Sequence, residues 1–169
     1  TLPILLSCLI FQTFKAQNIV LNPSFESGNK TIENWTITGS VTSLIPKISI
    51  EDKVLKMEGS SEAVHGKARQ TVVVSDRQTY SFSARFKTKD VISIDRSVMI
   101  KVTWYKEAEN IGYHYIYDIS EIKDGWFLAS NKIKAIEGAT TAQISLEFRW
   151  SKGTIWWDDI SMESCPDSA

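Results

Sequence analysis

Apolar and polar residues alternate at every second position through most of the chain, the period of a half-buried β-strand. In 80–87, Tyr80, Phe82, Ala84 and Phe86 share one face, and Ser81, Ser83, Arg85 and Lys87 the other. Residues 98–105 set Val98, Ile100, Val102 and Trp104 against Met99, Lys101, Thr103 and Tyr105. Residues 143–150 set Ile144, Leu146, Phe148 and Trp150 against Gln143, Ser145, Glu147 and Arg149. Shorter strands are predicted at 54–58, 70–74, 113–119, 127–134 and 154–162. Turn-forming residues at 59–61, 75–77, 110–112, 123–125 and 151–153 separate them. No segment sustains a helical period with caps. About eight to ten short strands punctuated in this way specify an all-β fold, an antiparallel β-sandwich or jelly roll.

The first segment departs from this pattern. Residues 1–14 carry no charge and are mostly apolar, and Lys15 is the first ionised side chain. About a dozen apolar residues is too short to span a bilayer but suits the hydrophobic region of a secretory signal. The expected organisation is a signal peptide over 1–16, N-terminally incomplete because it lacks Met and a basic start. A domain over 17–164 follows, with Cys165-Pro166 opening a linker or tail over 165–169. Leu5-Leu6-Ser7-Cys8 also loosely resembles a lipid-attachment box, against which the apolar run continues past Cys8. Export predicts a secreted, extracellular or periplasmic protein and leaves Cys165 as the only mature thiol. No internal disulfide could then form, and no Cys/His metal spacing exists.

Composition narrows the partners. The 169 residues include 19 Lys+Arg and 20 Asp+Glu, for a formal net charge of −1. That balance gives no electrostatic reason to expect nucleic acid or an anionic membrane. With six Trp, five Tyr and seven Phe, the chain has ample material for a packed core and is not a disordered one.

Function therefore has to lie on the outward strand faces. Tyr113, Tyr115 and Tyr117 stand at i, i+2 and i+4, so their rings project from one side of one strand. Either the row is core, or it is an exposed aromatic platform. As a platform beside Arg85, Arg149 and Glu147 it would suit a sugar. Flat rings cover the apolar C–H face of a pyranose, while guanidinium and carboxylate groups satisfy its hydroxyl rim. Two other readings stay open. One is a small jelly-roll polysaccharide lyase or hydrolase using His114, one of only two histidines, neither of which lies in a nucleophile motif. The other is an adhesion or spacer module without sugar affinity.

Two stretches at the ends of the domain carry a resemblance. Asn18-Ile19-Val20-Leu21-Asn22-Pro23-Ser24-Phe25-Glu26-Ser27-Gly28, followed by Asn34-Trp35, opens it, and Gly153-Thr154-Ile155-Trp156-Trp157-Asp158-Asp159-Ile160-Ser161-Met162 closes it. Together with Asp124-Gly125-Trp126 they resemble the carbohydrate-binding modules with a galactose-binding-like jelly roll. The resemblance spans about residues 18–163. It implies a secreted, non-catalytic module that binds a polysaccharide or glycan and is covalently linked to a glycan-degrading catalytic domain. It also implies one structural Ca²⁺ tying the first strand to the last, with Glu26 and Asp158 or Asp159 as carboxylate ligands. Parity in the closing strand favours Asp158, which would share the inward face with Trp156, Ile160 and Met162. Trp35, Trp126 and Trp156 fall at positions that the resemblance makes framework rather than sugar contacts. Asn29-Lys30-Thr31 and Asn34-Trp35-Thr36 match glycosylation sequons, meaningful only in a eukaryotic secretory pathway.

Overall fold

The computed structural model describes residues 16–27 and 32–166. The predicted signal (Ala16 apart), the Asn29 sequon and the last three residues lie outside the described residues. Among the described residues eleven strands form: β1 (Thr36–Gly39), β2 (Lys47–Glu51), β3 (Val54–Gly59), β4 (His65–Val73), β5 (Thr79–Lys89), β6 (Val98–Lys106), β7 (Glu109–Tyr115), β8 (Ile119–Glu121), β9 (Trp126–Lys134), β10 (Thr141–Arg149) and β11 (Gly153–Ser164). They make a five-stranded sheet of order β1-β4-β10-β6-β7 and a six-stranded sheet of order β2-β3-β11-β5-β9-β8. All pairings are antiparallel. Among the described residues the helical content is a turn at Thr42–Leu44 and another at Ile94–Ser97.

The all-β sandwich expected from alternation is therefore present, with eleven strands where eight to ten were predicted. The three additions are β1, β2 and β8, of four, five and three residues, none with a fully buried side chain. The turn predicted at 110–112 lies instead inside β7. There Gly112 takes φ 143°, and the register against β6 slips between Trp104 and Tyr105, so the glycine marks a bulge rather than a reversal.

The two inner faces interdigitate to form the core. Trp104 from β6, Phe148 and Ile144 from β10, Phe82 and Phe86 from β5, and Trp157 from β11 are all fully buried. Each such side chain contributes roughly 1.5–3 kcal/mol by leaving water. Trp150, placed by parity on the core face, sits just past the end of β10 at φ 55°. Its ring is 42 % exposed and covered by the guanidinium of Arg149 at 4.1 Å.

The opening motif works as a clasp. Asn18 Nδ2 donates to Ile160 O at 3.0 Å while its Oδ1 accepts from Met162 N at 2.9 Å, and Ile160 N donates to Pro23 O at 2.9 Å. Gln70, buried in β4, exchanges hydrogen bonds with both backbone groups of Leu21. Trp35 is buried, packs on Phe25 at 5.4 Å and donates its indole N–H to Asn22 O at 3.2 Å. Trp35 is framework, as expected.

One register shift corrects the sequence reading of β11. A bulge separates Asp158 from Ser161 in the pairing with β5, with Asp159 at φ 48°. Before the bulge Ile155 and Trp157 point inward; after it Ile160 and Met162 do. The extra residue flips the parity, so Trp156 and Asp158 face outward rather than into the core.

Candidate functional site

The outer face of the five-stranded sheet carries a set of polar and aromatic side chains. Strand register lines them up in rows. Thr38, Lys67, Glu147 and Met99 form one row, and Thr36, Arg69, Ser145, Lys101 and Tyr115 the next. Thr71, Gln143, Thr103 and Tyr113 form a third. The tyrosines close one edge. Tyr113 and Tyr115 meet edge-on with centroids 5.1 Å apart, and Tyr115 and Tyr117 follow at 5.5 Å. Tyr113 is 54 % exposed and Tyr117 76 %, so the row is a platform and not core. Lys101 Nζ sits 5.5 Å over the Tyr113 ring.

The floor beside the rings is pre-ordered. Thr103 and Ser145 are buried although they belong to the outward parity. Glu147 is 4 % exposed, with His65 Nε2 at 3.5 Å and Lys67 Nζ at 3.8 Å. A carboxylate this enclosed needs such partners to offset its lost hydration. His65 is in turn held by Ser40, whose Oγ shares a 2.6 Å hydrogen bond with Nδ1. Arg149, at the end of β10, donates from Nε to Arg96 O at 3.3 Å.

The sequence-predicted site is thus brought together in part. Tyr113, Tyr115, Tyr117, Glu147 and Arg149 share this face. Arg85 does not: it lies on β5, in the other sheet, and the sandwich separates it from the rings. Equal alternation on two strands says nothing about which sheet each strand joins. Parity likewise gave no prominence to His65, Lys67 and Arg69, because the inward residues of β4 include Gly66, Ala68 and Gln70. Without large apolar side chains the period is faint. His114 points inward and accepts the indole N–H of Trp104 at 2.7 Å, a structural use of the ring.

Arg85, Glu26, Asp158 and Asp159 belong to the corner where the opening segment meets the β11 bulge. Asp159 Oδ2 accepts from Arg85 Nη1 at 2.7 Å, and its Oδ1 accepts from Ser24 Oγ at 2.9 Å. Glu26 pairs with Lys53 at 3.8 Å. Asp158 Oδ1 caps the backbone N–H of Asp159 at 2.8 Å. Asp159 is thus engaged through both carboxylate oxygens, and among the described residues no group of three or more His, Cys, Asp or Glu side chains is placed to hold a metal ion.

Burial pushes the Asp158 carboxyl above its usual range, with the neighbouring Asp159 adding to the rise. A raised pKa in the folded state means that the charged form is disfavoured there. The resulting destabilisation is present above the folded pKa and vanishes as pH falls below the ordinary carboxylate range. Asp158→Asn is therefore expected to raise the neutral-pH melting temperature slightly, the effect being muted by solvent screening, and to flatten the stability profile in that acidic window. A calcium ligand at this position would give the reverse, with lower stability in the variant and a chelator-sensitive melt in the parent.

A family described as "Carbohydrate binding domain" matches residues 17–152. No curated protein matches. Among solved structures, a CBM4 structure is similar with a TM-score of 0.64 and 16 % identity, covering 86 % of this chain and 99 % of the other. The enzymatically active domain of tailspike protein 4 from bacteriophage CBA120 gives 0.66 and 13 %, over 88 % of this chain. This chain spans only 21 % of that one. TmCBM61, solved in complex with β-1,4-galactotriose, gives 0.52 and 14 %, over 86 % of this chain and 97 % of its own. At these identities the structures share the fold.

Proposed function

The chain belongs to this carbohydrate-binding domain family, and from that premise we propose that it holds a poly- or oligosaccharide across the open face of the five-stranded sheet. It is a non-catalytic carbohydrate-binding module. The observation that carries the proposed site is the exposed Tyr113–Tyr115–Tyr117 row standing beside a floor of buried polar groups centred on Glu147. The rings would cover the apolar face of successive sugar rings. Glu147, Gln143, Arg69 and Lys101 would take the hydroxyls. Because Glu147 is fixed by His65 and Lys67, little side-chain entropy remains to be lost on binding.

A β-1,4-linked chain is the first class to test, supported by the β-1,4-galactotriose that one neighbour binds. The uncharged run at residues 1–14 supports export, and a covalently linked glycan-degrading domain is the partner such a module would serve. The test is calorimetric titration with xylo-, cello- and β-1,4-galacto-oligosaccharides. Binding of at least one is expected, and none binding at all would overturn the reading. Glu147→Gln keeps the shape of the floor but removes a charged acceptor, worth about 1.5–3 kcal/mol in a buried hydrogen bond. It is expected to weaken the best ligand roughly tenfold or more, and also to lower the melting temperature, because His65 and Lys67 lose the charged partner of an enclosed cluster.

A further inference from the structure

An open groove lies on the other side of the sandwich. It measures about 640 Å³ and is walled by Trp126, Trp156, Lys87, Lys89, Glu51 and Asp52 among others. Register places Trp156 of β11 and Trp126 of β9 directly either side of Lys87 of β5. Their backbones are thus two strand spacings apart, roughly 9.5 Å. Both indoles are half-exposed, unlike Trp104 and Trp157, which are fully buried, and Trp35, which is nearly so. Each is braced from one side. Trp156 donates its indole N–H to Glu51 Oε2 at 3.1 Å and carries Lys56 Nζ 5.9 Å over its ring. Trp126 carries the guanidinium of Arg85 at 4.9 Å. Glu51 is itself held by Lys56 at 3.1 Å.

The two indoles line the same groove, on strands that flank Lys87, with Glu51 and Asp52 also in its lining. The volume falls within the range of small-ligand sites, which combine apolar walls with a few placed polar groups. Aromatic walls with a hydroxyl-binding rim suit a pyranose ring, the chemistry also expected of the tyrosine face. We propose that the Trp126–Trp156 slot is a second saccharide-binding site, making the module two-faced and able to engage two glycan segments at once. This rests on the carbohydrate-binding reading but on different residues and the opposite sheet. Two weak sites on one body strengthen retention on a polymer by effective concentration, with no new contact at either site.

Indole N–H signals of the labelled protein would be followed by NMR during titration with xylohexaose, cellohexaose and β-1,4-galactotriose. The Trp126 and Trp156 signals are expected to shift, and to shift equally in a variant with alanine at Tyr113, Tyr115 and Tyr117. In that variant Trp126→Ala should remove the remaining affinity by tenfold or more. Lys87→Glu, which leaves both rings in place, should weaken it without unfolding the domain. Tyrosine-face signals that respond while both indoles stay fixed would overturn the second site and leave the first standing. Indole shifts that vanish in the tyrosine variant would also overturn it, as a relayed effect. Silence from both faces would overturn both readings.

Discussion

Alanine at Tyr113, Tyr115 and Tyr117 together is expected to reduce glycan affinity at the five-stranded sheet by about 30-fold to 1,000-fold. The reasoning starts from geometry. The rings stand side by side at 5.1 and 5.5 Å, with the two outer ones more than half exposed, so they support no core and are free to meet a ligand. An aromatic contact contributes about 0.5–1.5 kcal/mol beyond its area, and three in a row about 2–4 kcal/mol. Each 1.4 kcal/mol is a factor of ten in the dissociation constant. The fold should lose little, because surface truncations away from caps and buried networks usually stay within about 0.5 kcal/mol each. Titration calorimetry beside thermal melting reads both quantities. Unchanged affinity in a folded triple variant would remove the tyrosines from the site. A melting temperature that collapses would mean instead that the rings brace the β6–β7 edge.

That division between rings and core was legible in the sequence only up to a point. Alternation found the inward faces of β5, β6 and β10 residue by residue, because large apolar side chains mark every second position there. It placed the three tyrosines on one side of β7 and left open which side that was. Periodicity is a property of one strand, whereas Arg85 joining the other sheet is a property of how strands pair at long range. β4 shows a second way for the signal to fail. Small and polar residues face inward where the sheets and the opening segment approach closely, so its basic outer row of Lys67 and Arg69 drew no attention. The end motifs, by contrast, report the clasp faithfully: the Asn18 side chain bonds Ile160 O, the Asn22 side chain bonds Ser27 N and Glu33 O, and Phe25 packs on Trp35, contacts that another residue would break.

The largest effect on stability separates two adjacent tryptophans. Trp157→Ala is expected to destabilise the domain by about 3–5 kcal/mol, as other large-to-small core changes do. Trp157 has no exposed surface, lies on β11 between β3 and β5, and packs on Phe86 at 5.5 Å. For a domain of this size each kcal/mol shifts the melting temperature by about 2–4 °C, so a fall of roughly 6–20 °C is expected. Trp156→Ala should cost about 1 kcal/mol or less. It removes one surface hydrogen bond to Glu51 and a cation–π contact with Lys56, both at the protein surface. Uninterrupted two-residue parity through Asp158, Ile160 and Met162 predicts the opposite ranking. Only the extra residue at Asp158-Asp159 reverses it, by letting Trp157 and Ile160 face the same way three positions apart. Melting curves of the two variants therefore measure the bulge itself. Were Trp156→Ala the more damaging change, the bulge would be misplaced. The corner held by Arg85 and Asp159 and the slot between Trp126 and Trp156 would fall with it.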